Sequence, residues 1–182
     1  MNRILVIILA LLGWLPTRAQ IHLTQNGSVS FTSDAPLELI QAKSEELQGA
    51  INPNSYTFAF SLRIQSLNGF NSELQKQHFN EKFLESRQYP KATFSGKLIE
   101  RIDFSQNGTY DVRAKGSFHV HGVSQERIIR AQLIIEDGVW IVRSRFKVLV
   151  ADHNITVPKV VYQNIAEEIE VEIQARLIPD NK

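Results

Sequence analysis

Two histidines near the middle of the chain have the spacing of metal ligands. His119 and His121 stand two positions apart in an alternating stretch, so on a β-strand both side chains project from one face. Residues two apart on a strand are separated by about 6.6 Å, and His78 or His153 could supply the third ligand of a zinc site. The alternative is that both are exposed strand residues beside Lys115, whose positive charge disfavours a bound cation.

A run of glutamates late in the chain offers carboxylates for acid–base chemistry. Glu168, Glu170 and Glu172 alternate with apolar residues, which predicts a solvated outer row on the last strand. The sequence contains no serine-centred nucleophile elbow, glycine-rich phosphate loop or metalloprotease signature. We therefore predict no catalytic residues, no metal site and no enzyme activity. A metal-dependent enzyme that uses His119 and His121 is the less favoured alternative.

The first residues have the composition of a secretory signal. Arg3 precedes an apolar run from Ile4 to Leu12, and Thr17-Arg18-Ala19 is a small-x-small cleavage site. The apolar run is too short to span a bilayer, which takes ~20 residues. We expect residues 1–19 to be a cleaved signal peptide. Residues 20–182 are expected to form a single exported domain without an integral membrane segment.

Composition excludes several classes of protein. The chain has no cysteine, which excludes a disulfide framework and thiol chemistry. It carries 20 Lys and Arg against 19 Asp and Glu, and cleavage after Ala19 removes Arg3 and Arg18. The mature chain is then close to neutral and lacks the basic footprint of a nucleic-acid-binding protein. No nucleic-acid partner is expected.

The remaining sequence is mostly β-strand by pattern. Apolar and polar residues alternate in about eight stretches, and Asn107-Gly108 and Asp137-Gly138 are typical hairpin turns. The folded part is predicted to begin at Gly27, with His22 outside it. Eight amphipathic strands can bury their apolar faces by closing into an antiparallel barrel. The sequence therefore predicts one all-β domain with a closed barrel.

The alternation is interrupted once by a helical pattern. Ser72 followed by Gln75 is a capping box, and Phe79 and Phe83 continue an apolar stripe at helical spacing. Pro90 requires the helix to end before it. We predict a helix over residues 71–86 that lies between two β-meanders and covers one way into the barrel.

The predicted inward rows mix large and small side chains. Ala114 and Gly116 stand in the middle of one row, where larger residues would fill a solid core. This pattern indicates a lumen, although a core in which large and small residues interdigitate remains the alternative. If the lumen is open, the predicted ligand-lining residues are Phe58, Phe60, Phe79, Phe83, Tyr110, Ala114, Gly116, Phe118, Trp140 and Phe146.

Several stretches resemble the YceI-like family. They are His78-Phe79, then Tyr89-Pro90-Lys91-Ala92-Thr93-Phe94, then Gly116-Ser117-Phe118-His119-Val120-His121-Gly122-Val123, and finally Asp152-His153-Asn154-Ile155. Their order and spacing are similar to those of the family from about Ser28 to Leu177.

The resemblance implies a lipocalin-like, closed eight-stranded antiparallel barrel in the bacterial periplasm. It also implies that an isoprenoid-type or quinone-like lipid is held in the lumen, for transport or for sequestration, with no other cofactor. The expected partner is this apolar lipid, and a homodimer is left open. The competing interpretation is a structural or interaction protein whose barrel has a solid core.

Overall fold

The structure is a computed structural model that describes residues 20–180 of the 182-residue chain. The predicted signal peptide, residues 1–19, lies outside the described residues, as do residues 181 and 182 of the predicted domain. Among residues 20–180, no helix is both long enough and apolar enough to cross a lipid bilayer.

The alternating stretches form eight strands that pair with their neighbours in chain order. The strands are β1 (His22–Asp34), β2 (Leu39–Asn52), β3 (Thr57–Arg63), β4 (Lys91–Leu98), β5 (Gly108–Val120), β6 (Val123–Glu136), β7 (Val139–Leu149) and β8 (Glu168–Pro179). Each pair is antiparallel, and β8 returns to pair with β1. The sheet therefore closes on itself, and the predicted eight-stranded barrel is confirmed.

Two of the hairpin turns depend on residues in the left-handed region. Asp137-Gly138 joins β6 to β7 with φ values of 48° and 79°, as its sequence predicts. His121-Gly122 joins β5 to β6 in the same way, with φ values of 50° and 75°. Two positive φ values define the turn type whose twist matches antiparallel strands. Asn107-Gly108 is not such a turn, because Gly108 already begins β5.

Strand β1 begins five residues earlier than the sequence predicts. His22 and Thr24 are buried, with 7% and 4% of their surface exposed, so the inward row starts with polar residues. The alternation of hydropathy is therefore absent where the strand begins. The imidazole of His22 stacks on the indole of Trp140 at 3.6 Å between ring centroids, which places His22 within the core and corrects the prediction.

One end of the barrel is solid. Leu133, Ile135 and Leu177 are at most 1% exposed there and pack around Trp140. The connection between β4 and β5 packs against this end, and its Phe104 stacks on Trp140 at 4.6 Å between centroids. A buried aromatic stack of this kind excludes water and ligands alike.

Two segments that contain helical turns lie at the other end. The first, residues 64–90, contains α1 (Glu73–His78), which continues as a π-helical turn over Phe79–Phe83. The Ser72 hydroxyl caps α1 by accepting a hydrogen bond from the Gln75 backbone N–H at 3.1 Å. The second, residues 150–167, contains two short 3-10 turns. We call these the helical segment and the 150–167 segment. The predicted helix thus exists, but it is shorter than residues 71–86 and partly π-helical.

Candidate functional site

A cavity of about 620 Å³ occupies the end of the barrel that carries these two segments. Strands β1 to β5, β7 and β8 contribute to its wall, as do the helical segment and the 150–167 segment. Eight phenylalanines line it: Phe31, Phe60, Phe70, Phe79, Phe83, Phe94, Phe118 and Phe146. Its volume falls within the range of about 300–1,000 Å³ that is typical of small-molecule sites, which are also mostly apolar.

The ten residues predicted to contact a ligand divide between the two ends. Five line the cavity: Phe60, Phe79, Phe83, Phe118 and Phe146. The other five lie outside its wall, in the solid half or mid-barrel: Phe58, Tyr110, Ala114, Gly116 and Trp140. Strand alternation identifies which residues point inward, but it does not tell how far along the barrel axis the lumen extends. The five residues that line the cavity therefore remain the predicted ligand contacts.

Gly116 serves a purpose other than leaving space for a ligand. It lies opposite Gly96 in the pairing of β4 and β5. A Cβ atom at Gly116 would lie 2.1 Å from the carbonyl oxygen of Ser95 and 2.9 Å from the Cα atom of Gly96. The absence of a side chain is therefore required by the close approach of two backbones. A substitution here tests strand packing and not the lumen, contrary to the sequence interpretation.

A carboxylate ties together the two segments at the cavity. Glu38, in the β1–β2 connection, accepts a hydrogen bond from the Gln75 side chain at 2.8 Å and another from the Asn164 side chain at 3.2 Å. Gln75 belongs to the helical segment and Asn164 to the 150–167 segment, and all three residues line the cavity. The polar groups of this part of the wall thus satisfy one another.

His121 makes a second connection between the same segments. From its turn, one ring nitrogen lies 2.9 Å from the backbone oxygen of His153, and the other lies 2.8 Å from the carboxylate of Glu85. His153 lies in the 150–167 segment, and Glu85 follows the π-helical turn. The β5–β6 turn therefore fastens both segments to the barrel.

His119 and His121 do not lie side by side on one strand face, as their spacing suggested for a metal site. His121 has left the strand for a turn with positive φ, so it no longer projects from the same face as His119. His119 instead has a ring nitrogen 2.9 Å from the Ser124 hydroxyl. His78 lines the cavity. Within residues 20–180, no group of three or more His, Cys, Asp or Glu side chains has the arrangement of a metal site.

The glutamate row lies on the outer surface of β8. Glu170 and Glu172 pair with Arg145, and Glu168 pairs with Lys147 on the neighbouring strand. A hydrogen bond from Arg145 lowers the pKa of Glu170 below its ordinary value. This is a cross-strand ion-pair ladder on a solvated face, as the alternation of β8 predicts.

His153 differs from the other polar residues of the cavity wall. Its side chain is fully buried, and its ring meets that of Phe118 edge to face at 5.3 Å between centroids. Its Nδ1 lies 3.3 Å from the Val123 carbonyl oxygen, whereas Nε2 has no hydrogen-bond partner among the described residues. Burial lowers the pKa of His153 below its ordinary value of 6.5. The sequence identified this residue as a possible third metal ligand and as part of the Asp152–Ile155 stretch that resembles the YceI-like family.

The chain has recognisable relatives. The sequence profile of the YceI-like domain matches residues 19–177. A polyisoprenoid-binding domain from Saccharophagus degradans is 13% identical, with a TM-score of 0.71 over 88% of this chain and 99% of that chain. BcnA from Burkholderia cenocepacia is 11% identical, with a TM-score of 0.68 over 82% and 95%. The YceI protein of Campylobacter jejuni is 14% identical, with a TM-score of 0.60 over 79% and 86%.

No curated protein sequence shows significant similarity to the chain. At identities of 11–14%, the structural likeness shows a shared fold. The profile match, by contrast, covers most of the sequence, including every strand from β1 to β7 and most of β8. On that match, the chain belongs to the YceI-like family.

Proposed function

We propose that the protein binds a long apolar chain of the isoprenoid type, such as a polyprenyl or quinone-like lipid, in the cavity. The observation that carries this proposal is the wall of eight phenylalanines around about 620 Å³ at the hollow end of the barrel. The relative from Saccharophagus degradans, which is a polyisoprenoid-binding domain, supports the same class of ligand.

An extended hydrocarbon suits this wall physically. Each CH₂ group moved from water into an apolar site contributes about 0.8 kcal/mol, so several isoprene units gain binding free energy without polar contacts. The polar groups at Glu38, Gln75 and Asn164 are already hydrogen-bonded to one another and need no ligand. The solid end, closed by Phe104 and Trp140, limits how deep the chain can reach.

The proposed role is that of a non-catalytic carrier or store of such a lipid in the periplasm. The sequence of residues 1–19 supports export, and the composition of the cavity supports binding over chemistry. Mass spectrometry of the exported protein should find Gln20 at its N-terminus. Protein that retains residues 1–19 and remains embedded in the inner membrane would contradict the localisation without affecting the binding proposal.

Binding is tested with a probe that has no polar end. Purified protein, stripped of lipid, is titrated with tritiated geranylgeranyl methyl ether, and saturable binding at one site per barrel is expected. Val171→Trp places an indole in the cavity beside Phe146, its cross-strand neighbour, and should weaken binding at least tenfold. Ile128→Trp is the matched control, because Ile128 is 57% exposed on the outer face of β6.

The melting temperatures of both variants show whether the barrel is intact. A folded Val171→Trp protein with weak binding, together with an Ile128→Trp protein that binds like wild type, supports the cavity as the site. Absence of saturable uptake by wild-type protein, or equal affinity in Val171→Trp, would overturn the proposed function.

A further inference from the structure

Exposed apolar side chains surround the mouth of the cavity. Leu74, in α1, lines the cavity and is nevertheless 60% exposed, so the cavity opens to solvent beside it. The segments at this end carry four more large apolar side chains that are more than half exposed: Leu37, Leu39, Val160 and Tyr162. We call these five residues the apolar rim. Clusters of exposed apolar groups mark surfaces that contact another protein or a membrane.

The Glu38 carboxylate holds the parts of the apolar rim together. Two rim residues flank Glu38 in the chain, and a third directly precedes Gln75, whose side chain donates to Glu38 at 2.8 Å. The other two belong to the 150–167 segment, whose Asn164 side chain donates to the same carboxylate at 3.2 Å. The Leu37 backbone N–H also donates to the Gln163 carbonyl oxygen at 2.8 Å. Three segments that are distant in sequence therefore present their apolar residues around one opening.

The charged residues closest to the apolar rim in the chain do not form a basic surface. Asp34, Glu38 and Glu73 are acidic, whereas Lys76 and Lys159 are basic. Segments that bind anionic headgroups by charge have an excess of Lys and Arg. A contact between the rim and a lipid bilayer would therefore depend on the apolar side chains and would not require anionic lipid.

A bilayer suits the apolar rim better than a protein partner does. The rim residues protrude from separate segments, and Val160 is 88% exposed. A protein interface depends on close shape complementarity, whereas fluid lipid surrounds separate side chains and needs no matching surface. Tyr162 adds an aromatic ring with a hydroxyl, a kind of side chain that is enriched where a bilayer meets water. A rim seated on a bilayer would bring the cavity mouth against the lipid.

We propose that the apolar rim docks on the surface of a lipid bilayer, so that an apolar chain passes from the bilayer into the cavity without crossing water. This rests on the proposed function, because it presupposes that the cavity takes such a chain. A long hydrocarbon partitions into bilayers, and its exposure to water is strongly unfavourable. Direct contact between the rim and the bilayer removes that barrier to transfer.

Docking is tested with vesicles of neutral lipid that contain no ligand. The exported protein that begins at Gln20 is used, since an uncleaved apolar N-terminus would itself enter a bilayer. Lipid-stripped wild-type protein should sediment with phosphatidylcholine vesicles, equally at low and at high salt. Leu37→Ser combined with Val160→Ser removes two rim side chains that do not line the cavity. We expect this rim variant to bind vesicles about tenfold less tightly or worse.

The matched control removes two exposed apolar side chains elsewhere. Ile128 and Ile178 are exposed on the outer faces of β6 and β8, away from the rim. The variant that combines Ile128→Ser with Ile178→Ser should bind vesicles like wild type. Melting temperatures show whether both double variants are folded.

Ligand uptake tests the same contact in the proposed role. Vesicles that contain tritiated geranylgeranyl methyl ether are mixed with protein, and uptake by the barrel is followed in time. The initial rate should rise in proportion to the protein concentration, and it should fall about tenfold or more in the rim variant. The affinity for the same probe added from ethanol should equal that of wild type, because neither substituted residue lines the cavity.

A single substitution gives a second measurement if the rim variant does not fold. In Val160→Trp, the new indole should be quenched by vesicles of brominated phosphatidylcholine. In Ile178→Trp, whose indole would lie on the outer face of β8, the same vesicles should leave the emission unchanged. Equal quenching in both variants, or none in either, would overturn docking through the rim.

The outcomes separate docking from the proposed function. If wild-type protein binds the probe from ethanol but does not sediment with vesicles, or if the folded rim variant binds vesicles like wild type, docking is overturned and lipid binding is not. A wild-type dimer that becomes monomeric in the rim variant would assign the rim to contact between two copies, and it would also overturn docking. Wild-type protein that takes up no probe from ethanol would instead refute the proposed function.

Discussion

Gly96 of β4 and Gly116 of β5 lie directly opposite each other, and the two strands approach so closely that neither position has room for a Cβ atom. A Cβ built on Gly96 would lie 2.1 Å from the Lys115 carbonyl oxygen, and one on Gly116 would lie equally close to that of Ser95. The obstructing atoms are backbone atoms, which cannot move aside as a flexible side chain can.

We therefore expect Gly116→Ala to destabilise the barrel by about 3 kcal/mol or more, at or above the upper end of the usual cost of overpacking, or to prevent folding, because backbone atoms obstruct its methyl group. Gly138→Ala is the control, because no atom lies within 4 Å of the position that its methyl group would take, and only the positive φ of 79° opposes the change. That conformational cost is about 1–2 kcal/mol. Thermal unfolding of both variants measures the difference. A Gly116→Ala protein at least as stable as Gly138→Ala would refute the close-approach explanation.

The barrel could be predicted from the sequence because its strands repeat a simple physical pattern. In β8, Ile173, Ala175 and Leu177 point inward while Glu172 and Arg176 point outward, and a period of two tells which face is buried. The pattern failed at the start of β1, where the inward residues His22 and Thr24 are polar. Their burial depends on partners that are distant in sequence, such as Trp140.

The site was only partly predictable, for a different reason. Alternation placed Phe58 and Phe60 in the same inward row, but the lumen begins between them along the barrel axis. Small inward residues suggested open space inside the barrel. Gly116, however, is a glycine because the backbone of the neighbouring strand leaves no room for a Cβ atom. The role of Glu38 depends on Gln75 and Asn164, which come from segments far apart in the chain, so local spacing carried no signal of it.

Glu38 should control the mobility of the two segments at the cavity. Glu38→Ala removes the acceptor shared by Gln75 and Asn164, each of which donates to a charged carboxylate. Hydrogen bonds to charged groups contribute about 1.5–3 kcal/mol each. We expect amide hydrogen exchange in residues 73–79 and 159–165 to accelerate about tenfold or more, while exchange in β5 and β6 is unchanged.

Glu46→Ala provides the comparison for that experiment. Glu46 pairs with Arg63 on the outer surface, with side chains half or more exposed, and such pairs contribute little to stability. In Glu46→Ala, amide hydrogen exchange in residues 73–79 and 159–165 should match that of wild type. If Glu38→Ala also exchanges like wild type in both segments, the carboxylate does not hold them together.

The side-chain contacts of His121, in the β5–β6 turn, should also hold the same two segments against the barrel. His121→Asn keeps a residue that tolerates positive φ before Gly122, so the turn itself is preserved. It removes the contacts to Glu85 and to the His153 backbone oxygen, and we expect a loss of about 1–2 kcal/mol in the free energy of unfolding. Asp137→Asn, in the equivalent turn between β6 and β7, is the matched control. If both substitutions lower the free energy of unfolding by similar amounts, the loss comes from the change in the turn and not from the lost contacts of His121 to Glu85 and His153.

The stability of the barrel should depend on pH through His153. Burial is the main cause of its lowered pKa; nearby Arg127 adds to the effect, and Asp152 and two backbone carbonyls partly oppose it. Below pH 6.5, the ordinary value, the unfolded chain binds a proton at this residue that the folded protein does not bind. This residue therefore lowers the free energy of unfolding progressively as the pH falls from 6.5 toward the folded-state pKa, and it has no such effect above pH 6.5.

His153→Phe removes this proton-linked loss, so wild type and variant should respond differently to acid. Between pH 7.5 and 8.5 the difference between their melting temperatures should stay constant, which serves as the internal control. From pH 6.5 to 5 the wild-type melting temperature should fall relative to that of the variant, because only wild type carries an imidazole whose protonation favours unfolding at this site. Urea unfolding at pH 7.5, 6.0 and 5.0 gives the same comparison as free energies. A difference that is the same at all three pH values would mean that His153 takes up its proton as readily in the folded barrel as in the unfolded chain, and that its imidazole is not held in the neutral form.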